Sequence, residues 1–475
     1  MSRKNRPIPL DRPAPAVLTH GRPHTHSELT LPSSEVALVP PDTDKPPYRV
    51  PGMAEIAALP WNGYSVVSTF SGCGGSCLGF KMAGFNVLWA SEFIPAAQET
   101  YRANHPDTPL DTRDIRQVRP ADILAAVEKA PGEIDVLEGS PPCASFSTAG
   151  KREAGWGKVR AYSDTRQRTD DLFFEFVRLL QGLRPKVFVA ENVSGLVKGK
   201  AKGYFLDILK RLKGCGYRVE ARLLDAQWLG VPQARQRLIF VGVRDDLGLA
   251  PAFPRPLPYR YSVREALPGF SGEMVGSGSV RHTLAGRRPT WPADRPSPTI
   301  LATEPQVSVI EARIIHDTSG NRSLGDITDR PCPTITVGIG GLNSNHFKVV
   351  QPIEPEADIS RFAIGREWDN LRPGEQSEKY FNLQRAPLDG PCPTVVQAGG
   401  NSSTAAVTHP TEKRKFTIAE LKRICAFPDD FILTGTYGQQ WERLGRAVPP
   451  LLMRAVAEVI RDEVLTQCAG SSGRF

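Results

Sequence analysis

The sequence predicts an α/β fold with a mainly parallel β-sheet over residues 61–250. Strand-turn-helix units repeat from Tyr64 onward, and their strands are apolar runs of five to seven residues joined by helical patterns. With 475 residues and 40% hydrophobic content, the chain is long enough for more than one core. We therefore expect a sheet covered by helices, followed by further structure.

The individual elements can be placed in chain order from periodicity. Amphipathic patterns predict helices at 171–183 and 204–213, and two further helical patterns lie at 417–425 and 449–465. Short runs rich in Val, Ile and aromatic residues predict strands. These runs are residues 65–70, 86–90, 134–138, 186–190, 218–224 and 238–243.

Composition divides the chain into four segments. Residues 1–60 are rich in Pro, Arg, Ser and Thr, which predicts a disordered or loosely attached N-terminal tail. Residues 251–412 are dense in Pro, Gly, Thr and Arg, so we expect a smaller, mostly irregular or β domain there. Within it the pattern D-x-P-x-P-T-[IV] begins at 294, 329 and 389, typical of a turn that feeds a short strand. Residues 413–475 are expected to return to the first domain, 61–250.

Charge and cysteine usage restrict the class of protein. A net charge of +8 and a pI of about 9.1 suit a polyanionic partner without proving one. No apolar stretch approaches membrane-spanning length and no signal peptide is visible, so we expect a soluble, cytoplasmic protein with no membrane partner. Eight cysteines without a C-x-x-C pair argue against a zinc site or a disulfide framework.

Cys143 is the first candidate for a reacting group. It follows Ser140-Pro141-Pro142 directly after the predicted strand 134–138, and proline ends a strand because it donates no ladder hydrogen bond. The thiol is thereby held at the carboxyl edge of the sheet, where open α/β sheets place reacting groups. A cysteine that merely packs is the alternative.

A basic stretch follows this cysteine. Residues 151–168 carry six Lys or Arg side chains against two acids, which suggests a phosphate-bearing substrate or simply a solvated loop.

Glycines and acids after the first strands suggest a nucleotide-like ligand. Phe70, Gly72 and Gly74 belong to the turn F-x-G-x-G-G, where glycine permits a tight turn and close approach of a ligand. Glu92 ends the second strand, where a carboxylate can accept hydrogen bonds from ribose hydroxyls, and Asp114 follows. Each could be a plain turn or a helix cap, but in this order they favour an adenosyl cofactor.

Two further motifs lie at strand ends. Glu191 follows the strand 186–190, and a partly buried carboxyl near a thiol can keep a raised pKa and donate a proton. Arg235 and Arg237 precede the strand 238–243, and an extended chain places both guanidinium groups on one face. A surface arginine pair would look the same in the sequence.

The order of these motifs resembles that of the DNA (cytosine-5)-methyltransferases. The series F-x-G-x-G-G, P-P-C, E-N-V, Q-x-R-x-R and G-R-A-V-P-P covers about residues 64–250 and 410–463. The region between stands in the place of the family's target-recognition domain. The resemblance therefore implies a Rossmann-like S-adenosylmethionine-dependent methyltransferase sheet with a smaller, mostly irregular or β target-recognition domain at 251–412.

The resemblance also implies catalytic roles. Cys143 would add to C6 of cytosine, because C5 accepts a methyl group only once this nucleophilic addition makes it enamine-like. Glu191 would protonate or hydrogen-bond N3, and Arg237 would hold O2. Arg235 would support the site or contact the DNA.

The cofactor implied is S-adenosyl-L-methionine, with S-adenosyl-L-homocysteine as the product and no metal. Phe70 would stack on adenine, Glu92 would hold the ribose, and Asp114 the adenine amino group. Pro142 would line the same site beside the glycine turn.

The implied substrate is double-stranded DNA bound by a monomer. Because C6 is hidden in the base stack, the cytosine must be flipped out, and the basic stretch with Gly155 and Gly157 matches the family's mobile loop. Such an enzyme acts in a restriction-modification system or alone, in the cytoplasm and on the nucleoid when DNA is bound.

Three positions depart from the family pattern. Ala144 stands where glutamine usually follows the cysteine, and Arg446 replaces an asparagine of the C-terminal motif. Ser68 stands where an acidic residue is common before the glycine turn. None of them removes the cysteine, glutamate or arginine, so we expect an active enzyme.

Three alternatives remain open from the sequence. An RNA (tRNA) cytosine-5 methyltransferase would share the scaffold, although the long region 251–412 speaks against it. A non-catalytic DNA-binding relative is disfavoured because Cys143, Glu191 and Arg237 are all present. An NAD-binding protein is suggested by the glycine turn alone and disfavoured by P-P-C.

Overall fold

The computed structural model describes residues 45–142, 160–163, 165–167, 169, 171–197, 201–267 and 354–471. Residue contacts divide the chain into two compact units, Met1–Glu273 together with Glu356–Phe475, and Met274–Pro355. Nearly all of the second unit lies outside the described residues. Both boundaries between the units lie within the predicted recognition domain, 251–412.

The first unit is built on a seven-stranded sheet in the order β3-β2-β1-β4-β7-β10-β8. Strands β1, β2, β3, β4 and β7 run parallel, and β10 is antiparallel to both β7 and β8, which confirms the expected mainly parallel sheet. Three two-stranded ladders, β5-β6, β9-β12 and β11-β13, lie outside it. The strands are β1 Ser65–Thr69, β2 Asn86–Ser91, β3 Leu110–Asp111, β4 Val136–Gly139, β5 Arg160–Tyr162, β6 Thr165–Gln167, β7 Val187–Val193, β8 Tyr217–Asp225, β9 Gln233–Ala234, β10 Gln236–Arg244, β11 Gln384–Arg385, β12 Cys392–Pro393 and β13 Val407–Thr408.

Helices connect the parallel strands and form most of the C-terminal segment. The longest of them agree with the helical periodicity of the sequence, because an apolar stripe repeats at a spacing of 3.6 residues. The helices are α1 Met53–Ala57, α2 Gly75–Met82, α3 Pro95–Asn104, α4 Pro120–Ala126, α5 Leu172–Leu183, α6 Ala201–Gly214, α7 Val263–Ala266, α8 Ala363–Trp368, α9 Ile418–Ile424, α10 Tyr437–Arg446, α11 Pro450–Ile460 and α12 Thr466–Ser471. A single π-helical turn, Arg461–Leu465, joins the last two.

The sheet is buried on both faces, as its near-continuous apolar strands require. Adjacent residues of β1 point to opposite faces: Val66 packs with α2 and α11, and Val67 packs with α5 and α6. The C-terminal helix α11 thereby covers one face, while α4, α5 and α6 cover the other. This three-layer packing leaves the carboxyl ends of the parallel strands as the open edge.

Residues 45–60 differ from the tail expected over 1–60. They contain α1, and Ile56 is buried against the C-terminal segment. The Tyr48 hydroxyl donates to the Arg423 carbonyl at 2.6 Å, and the Met53 amide donates to the Asp430 carboxylate at 3.0 Å. This part of the chain is ordered by contacts more than 370 residues away in sequence, which local composition does not reveal.

The third D-x-P-x-P-T-[IV] copy forms a short strand, as its pattern predicted. Within it Cys392 and Pro393 pair in parallel with Gln233 and Ala234 of β9. The copies that begin at 294 and 329 lie outside the described residues. The third copy, which belongs to the first unit, thus pairs with β9 beside Q-x-R-x-R.

In the described parts of the chain, every helix is too short or too polar to cross a lipid bilayer.

Candidate active site

A cleft of about 1160 Å³ lies at the carboxyl ends of the parallel strands. It gathers side chains from the turns after four neighbouring strands, as expected where helices leave an open sheet edge. The sequence-predicted residues that line it are Phe70, Gly72, Glu92, Asp114, Pro142, Glu191, Arg235 and Arg237. Gly74 lies in the same turn behind the lining, and Cys143 lies outside the described residues.

The turn after β1 is held by the carboxylate of Glu92. Its Oε2 accepts from the Gly72 amide at 2.8 Å, and its Oε1 accepts from the Ile94 amide at 2.6 Å. Burial raises the pKa of this carboxyl, and the backbone amides oppose the rise. Glu92 therefore joins the glycine turn to the start of α3 and faces the cleft from the end of β2.

Three residues of this turn, Phe70, Gly72 and Gly74, adopt a positive φ. Gly74 has a φ of +94°, and a Cβ there would lie 2.3 Å from Nε2 of His105. Only glycine fits, because both the left-handed conformation and the close contact exclude a side chain. Phe70 also adopts a positive φ, 54°, which places the aromatic residue on the cleft wall.

Asp114 caps the short turn Ile115–Gln117 after β3. Its Oδ1 accepts from the Arg116 amide at 3.0 Å, and its Oδ2 forms an ion pair with the Arg116 guanidinium at 3.0 Å. The carboxylate is partly exposed on the cleft wall and is positioned for a ligand contact.

Asn192 has a role that sequence reasoning missed. Its side-chain amide donates to the Pro141 carbonyl at 3.2 Å, so the E-N-V motif on β7 holds the proline turn that precedes Cys143. Pro142, in that turn, lines the cleft. The sequence indicated that E-N-V and P-P-C both lie at the carboxyl ends of strands, but it gave no sign of this hydrogen bond.

Glu191 and Arg237 form a buried ion pair at the centre of the cleft. The Arg237 Nε lies 2.8 Å from Glu191 Oε1, and both side chains are about nine-tenths buried. Burial raises the pKa of Glu191 despite the nearby guanidinium groups, which is the direction expected from the sequence. The pair places a buried carboxyl group with a raised pKa directly beside the guanidinium group of Arg237.

Arg235 is also buried, but its guanidinium is bonded to backbone carbonyls. Nη1 donates to Val395 O at 3.0 Å, and Nη2 donates to Gly445 O at 2.8 Å and to Ala447 O at 2.9 Å. It therefore joins Q-x-R-x-R to the third P-C-P-T-V copy and to the C-terminal motif. Of the two roles expected, support of the site is the one that fits these hydrogen bonds.

The C-terminal motif brings further charge to the cleft. Arg446, which departs from the family pattern, forms an ion pair with Glu442 at 2.7 Å, and the buried Arg443 pairs with the same carboxylate at 2.9 Å. Both arginines line the cleft. Arg443 is a site residue that the sequence did not single out.

Cys73 also lines the cleft, and it is buried. Burial raises the pKa of Cys73 to about 12, so its thiol stays protonated at neutral pH. The described residues contain no cluster of three or more His, Cys, Asp or Glu side chains that could hold a metal ion.

Comparison with known proteins decides the family. The model of the C-5 cytosine-specific DNA methylase family matches residues 64–462, most of the chain and all the elements of the cleft. The chain belongs to the C-5 cytosine-specific DNA methylase family. As a member, this methylase transfers a methyl group to C5 of cytosine in DNA.

Curated relatives align over nearly the whole methylase. The type II methyltransferase M.NgoPII of Neisseria gonorrhoeae is 29% identical over 408 residues, covering 84% of this chain and 96% of its own. The type II methyltransferase M.DdeI of Desulfomicrobium norvegicum is 29% identical over 415 residues, covering 83% and 88%.

Solved structures confirm the fold of the methylase. A prophage-encoded E. coli protein assigned as a DNA modification methyltransferase has a TM-score of 0.55 at 21% identity, covering 84% of this chain and 99% of its own. A Dnmt2 protein of Spodoptera frugiperda has a TM-score of 0.51 at 15% identity, with coverage of 84% and 99%.

Proposed function

We propose that this methylase modifies one cytosine of a short duplex sequence, using S-adenosyl-L-methionine, as a type II modification enzyme. The observation that carries the proposal is the buried Glu191–Arg237 pair in a cleft shared with the glycine turn and Pro142. Relatives that align over more than four-fifths of the chain are type II methyltransferases, which supports the biological role.

The cleft fits S-adenosylmethionine. The carboxylates of Glu92 and Asp114 offer acceptors for ribose hydroxyls and the adenine amino group, and Phe70 offers a ring for stacking. When bound, this cofactor supplies an electrophilic methyl group on a sulfonium centre, and no metal is needed. Its product is S-adenosyl-L-homocysteine.

The chain's own residues prepare the cytosine. The Cys143 thiolate forms a bond to C6, and the electron pair displaced from the C5–C6 bond makes C5 nucleophilic. Glu191 gives a proton or a hydrogen bond to N3, while the Arg237 guanidinium donates to O2. After transfer, the C5 proton leaves and the electrons that held it expel the Cys143 sulfur, which restores the aromatic ring.

In this proposal residues 251–412 recognise the DNA sequence. The target cytosine must leave the base stack to reach the cleft, which costs a few kcal/mol. The basic stretch 151–168 provides cations next to Cys143 for the DNA backbone. We propose a monomer acting on DNA in the cytoplasm, with 61–250 and 413–475 forming the catalytic part.

Bisulfite sequencing of plasmid from cells that express the protein tests this function. We expect new 5-methylcytosine in one short sequence context with the wild type and none with Cys143→Ser. The two proteins are compared at equal expression, with folding checked by circular dichroism. Unmodified plasmid with methylated tRNA would favour the RNA alternative. Absence of 5-methylcytosine in both nucleic acids would refute the proposal.

A further inference from the structure

A buried carboxyl group beneath the glycine turn has no part in the chemistry above. Glu138 is the penultimate residue of β4 and is only 1% exposed. Its cross-strand partner in the parallel ladder is Ser68 of β1, which is completely buried. Because a buried carboxyl without partners is strongly destabilising, its hydrogen bonds show what it is used for.

Glu138 is the end of a chain of hydroxyl groups. The Ser68 hydroxyl donates to Glu138 Oε2 at 2.6 Å, and the Oγ atoms of Ser68 and Ser71 lie 2.8 Å apart. A hydroxyl group has one proton, and that of Ser68 is directed to the carboxylate. Ser71 must therefore be the donor to Ser68.

Ser76, in the first turn of α2, also hydrogen-bonds to Glu138. An ionised carboxylate only accepts, so the proton of Ser76 also points inward. Ser71 and Ser76 both line the cleft. With their protons directed inward, each presents oxygen lone pairs to a ligand there.

The order of the strands shows which part of the cofactor lies near these serines. Along the sheet edge, Asp114 follows β3, Glu92 follows β2, the glycine turn follows β1, and Pro142 follows β4. A cofactor with adenine near Asp114 and ribose near Glu92 extends across β1 toward the cytosine site beyond Pro142. Its methionine end, which carries the sulfonium and the α-ammonium group, would therefore lie between β1 and β4.

We propose that Glu138 is a positioning residue of the cofactor site, orienting the hydroxyls of Ser71 and Ser76 so that their lone pairs face the positively charged end of S-adenosylmethionine. This role rests on the proposed function. It also explains how the chain tolerates Ser68 where the family commonly has an acidic residue, since the neighbouring strand supplies a carboxylate 2.6 Å from its hydroxyl.

The protonation of Glu138 gives the proposal a pH signature. Burial raises the pKa of Glu138 to about 7, and the charge of Glu191 on β7 adds to the rise. Among the described residues, Cys77 of α2 and Tyr101 of α3 also interact with Glu138. Burial raises the pKa of Cys77 to about 11 and that of Tyr101 well above 10, so both stay neutral near pH 7. Protonated below its pKa, Glu138 can itself donate and no longer fixes the serine protons. Affinity for a cationic ligand therefore increases from pH 6 to pH 8.

Titration calorimetry with S-adenosylmethionine and S-adenosylhomocysteine tests the role on the full-length protein. We expect Glu138→Gln and Ser71→Ala each to weaken S-adenosylmethionine binding about tenfold at pH 8, since each removes one charge-assisted link. The double variant should lose little more than either single variant, because both act through one hydrogen-bonded chain. In Glu138→Gln the increase in affinity from pH 6 to pH 8 should disappear.

Asp135→Asn is the matched control. Asp135 is a buried carboxylate just before the same strand, but at its amino end, where it accepts from Ser65 at 2.8 Å and pairs with Lys186 at 2.7 Å. The Asp135→Asn substitution should change the melting temperature and leave the affinities for S-adenosylmethionine and S-adenosylhomocysteine within twofold of the wild type. Glu191→Gln tests whether the nearby Glu191, and not Glu138, causes the pH dependence. We expect the pH dependence of cofactor binding to persist in this variant.

This role is overturned if Glu138→Gln and Ser71→Ala bind S-adenosylmethionine as tightly as the wild type, or if the pH dependence survives in Glu138→Gln. The proposed function would still stand in that case if the wild type methylates plasmid DNA. A wild type that bound neither ligand would overturn the function and this role together. If Glu138→Gln does not fold, the more conservative variant Ser71→Ala and the wild-type pH profile decide the matter.

Discussion

Arg235 and Arg237, which are separated by a single residue in sequence, have different surroundings in the site. Arg237 pairs with Glu191 across the cleft, whereas Arg235 donates to three backbone carbonyls from distant parts of the chain. In sequence they are equivalent guanidinium groups of one extended segment. Their separate roles depend on what the fold brings to each.

Arg235 should therefore matter for stability at least as much as for activity. Arg235→Ala leaves the buried carbonyls of Val395, Gly445 and Ala447 without this donor, so we expect a loss of about 3 kcal/mol in the free energy of unfolding. Urea denaturation followed by circular dichroism measures it. Arg119→Ala, a largely exposed arginine, is the control and should leave the midpoint nearly unchanged. An equally small effect for Arg235→Ala would contradict the support role.

At the scale of elements, the cleft depends on the close packing of α2 against α11. A Cβ on Gly79 would lie 2.7 Å from both the Met453 Cβ and the Pro450 carbonyl oxygen. The two helices can approach this closely only because Gly79 has no side chain. Since α2 begins at the glycine turn, this packing also positions the turn.

Gly79→Ala should disturb that packing. We expect a loss of about 1–3 kcal/mol in the free energy of unfolding, because the methyl group forces the helices apart. Thermal denaturation and cofactor affinity should both register the change. Gly203→Ala, where a Cβ in α6 meets nothing within 4 Å, is the matched control and should be neutral or slightly stabilising. Equal midpoints for the two variants would refute the contact.

At the scale of the whole molecule, the distribution of charge along the chain suits a DNA substrate. The chain has 59 basic and 51 acidic residues, and an excess of cations lies in 151–168, directly after Cys143. A polyanion bound there releases counterions in proportion to the phosphates neutralised. Affinity for DNA should therefore fall steeply with salt.

Lys151→Ala combined with Arg152→Ala tests the contribution of this stretch. The slope of log K against log salt should decrease in magnitude by about 2, because each lost phosphate contact removes about 0.9. Fluorescence anisotropy with a duplex between 50 and 200 mM salt measures it. Lys210→Ala combined with Lys213→Ala on the exposed side of α6 should leave the slope unchanged. A slope unaffected by the first pair would show that the stretch is only a solvated loop.

The sequence by itself predicted six of the seven strands of the main sheet, the helices α5, α6, α9 and α11 and the positions of the motifs, because apolar periodicity and turn residues act over a few neighbouring positions. It also placed Phe70, Glu92 and Glu191 after strands. In the structure Phe70 and Glu92 do follow β1 and β2, whereas Glu191 lies within β7 near its carboxyl end, and all three line the cleft. Only the tertiary structure decided the rest. The carbonyls bound by Arg235 lie 160 to 212 residues away, and Glu138 meets Ser68 across 70 residues. Such partners are chosen by packing of the whole chain, which no local pattern encodes.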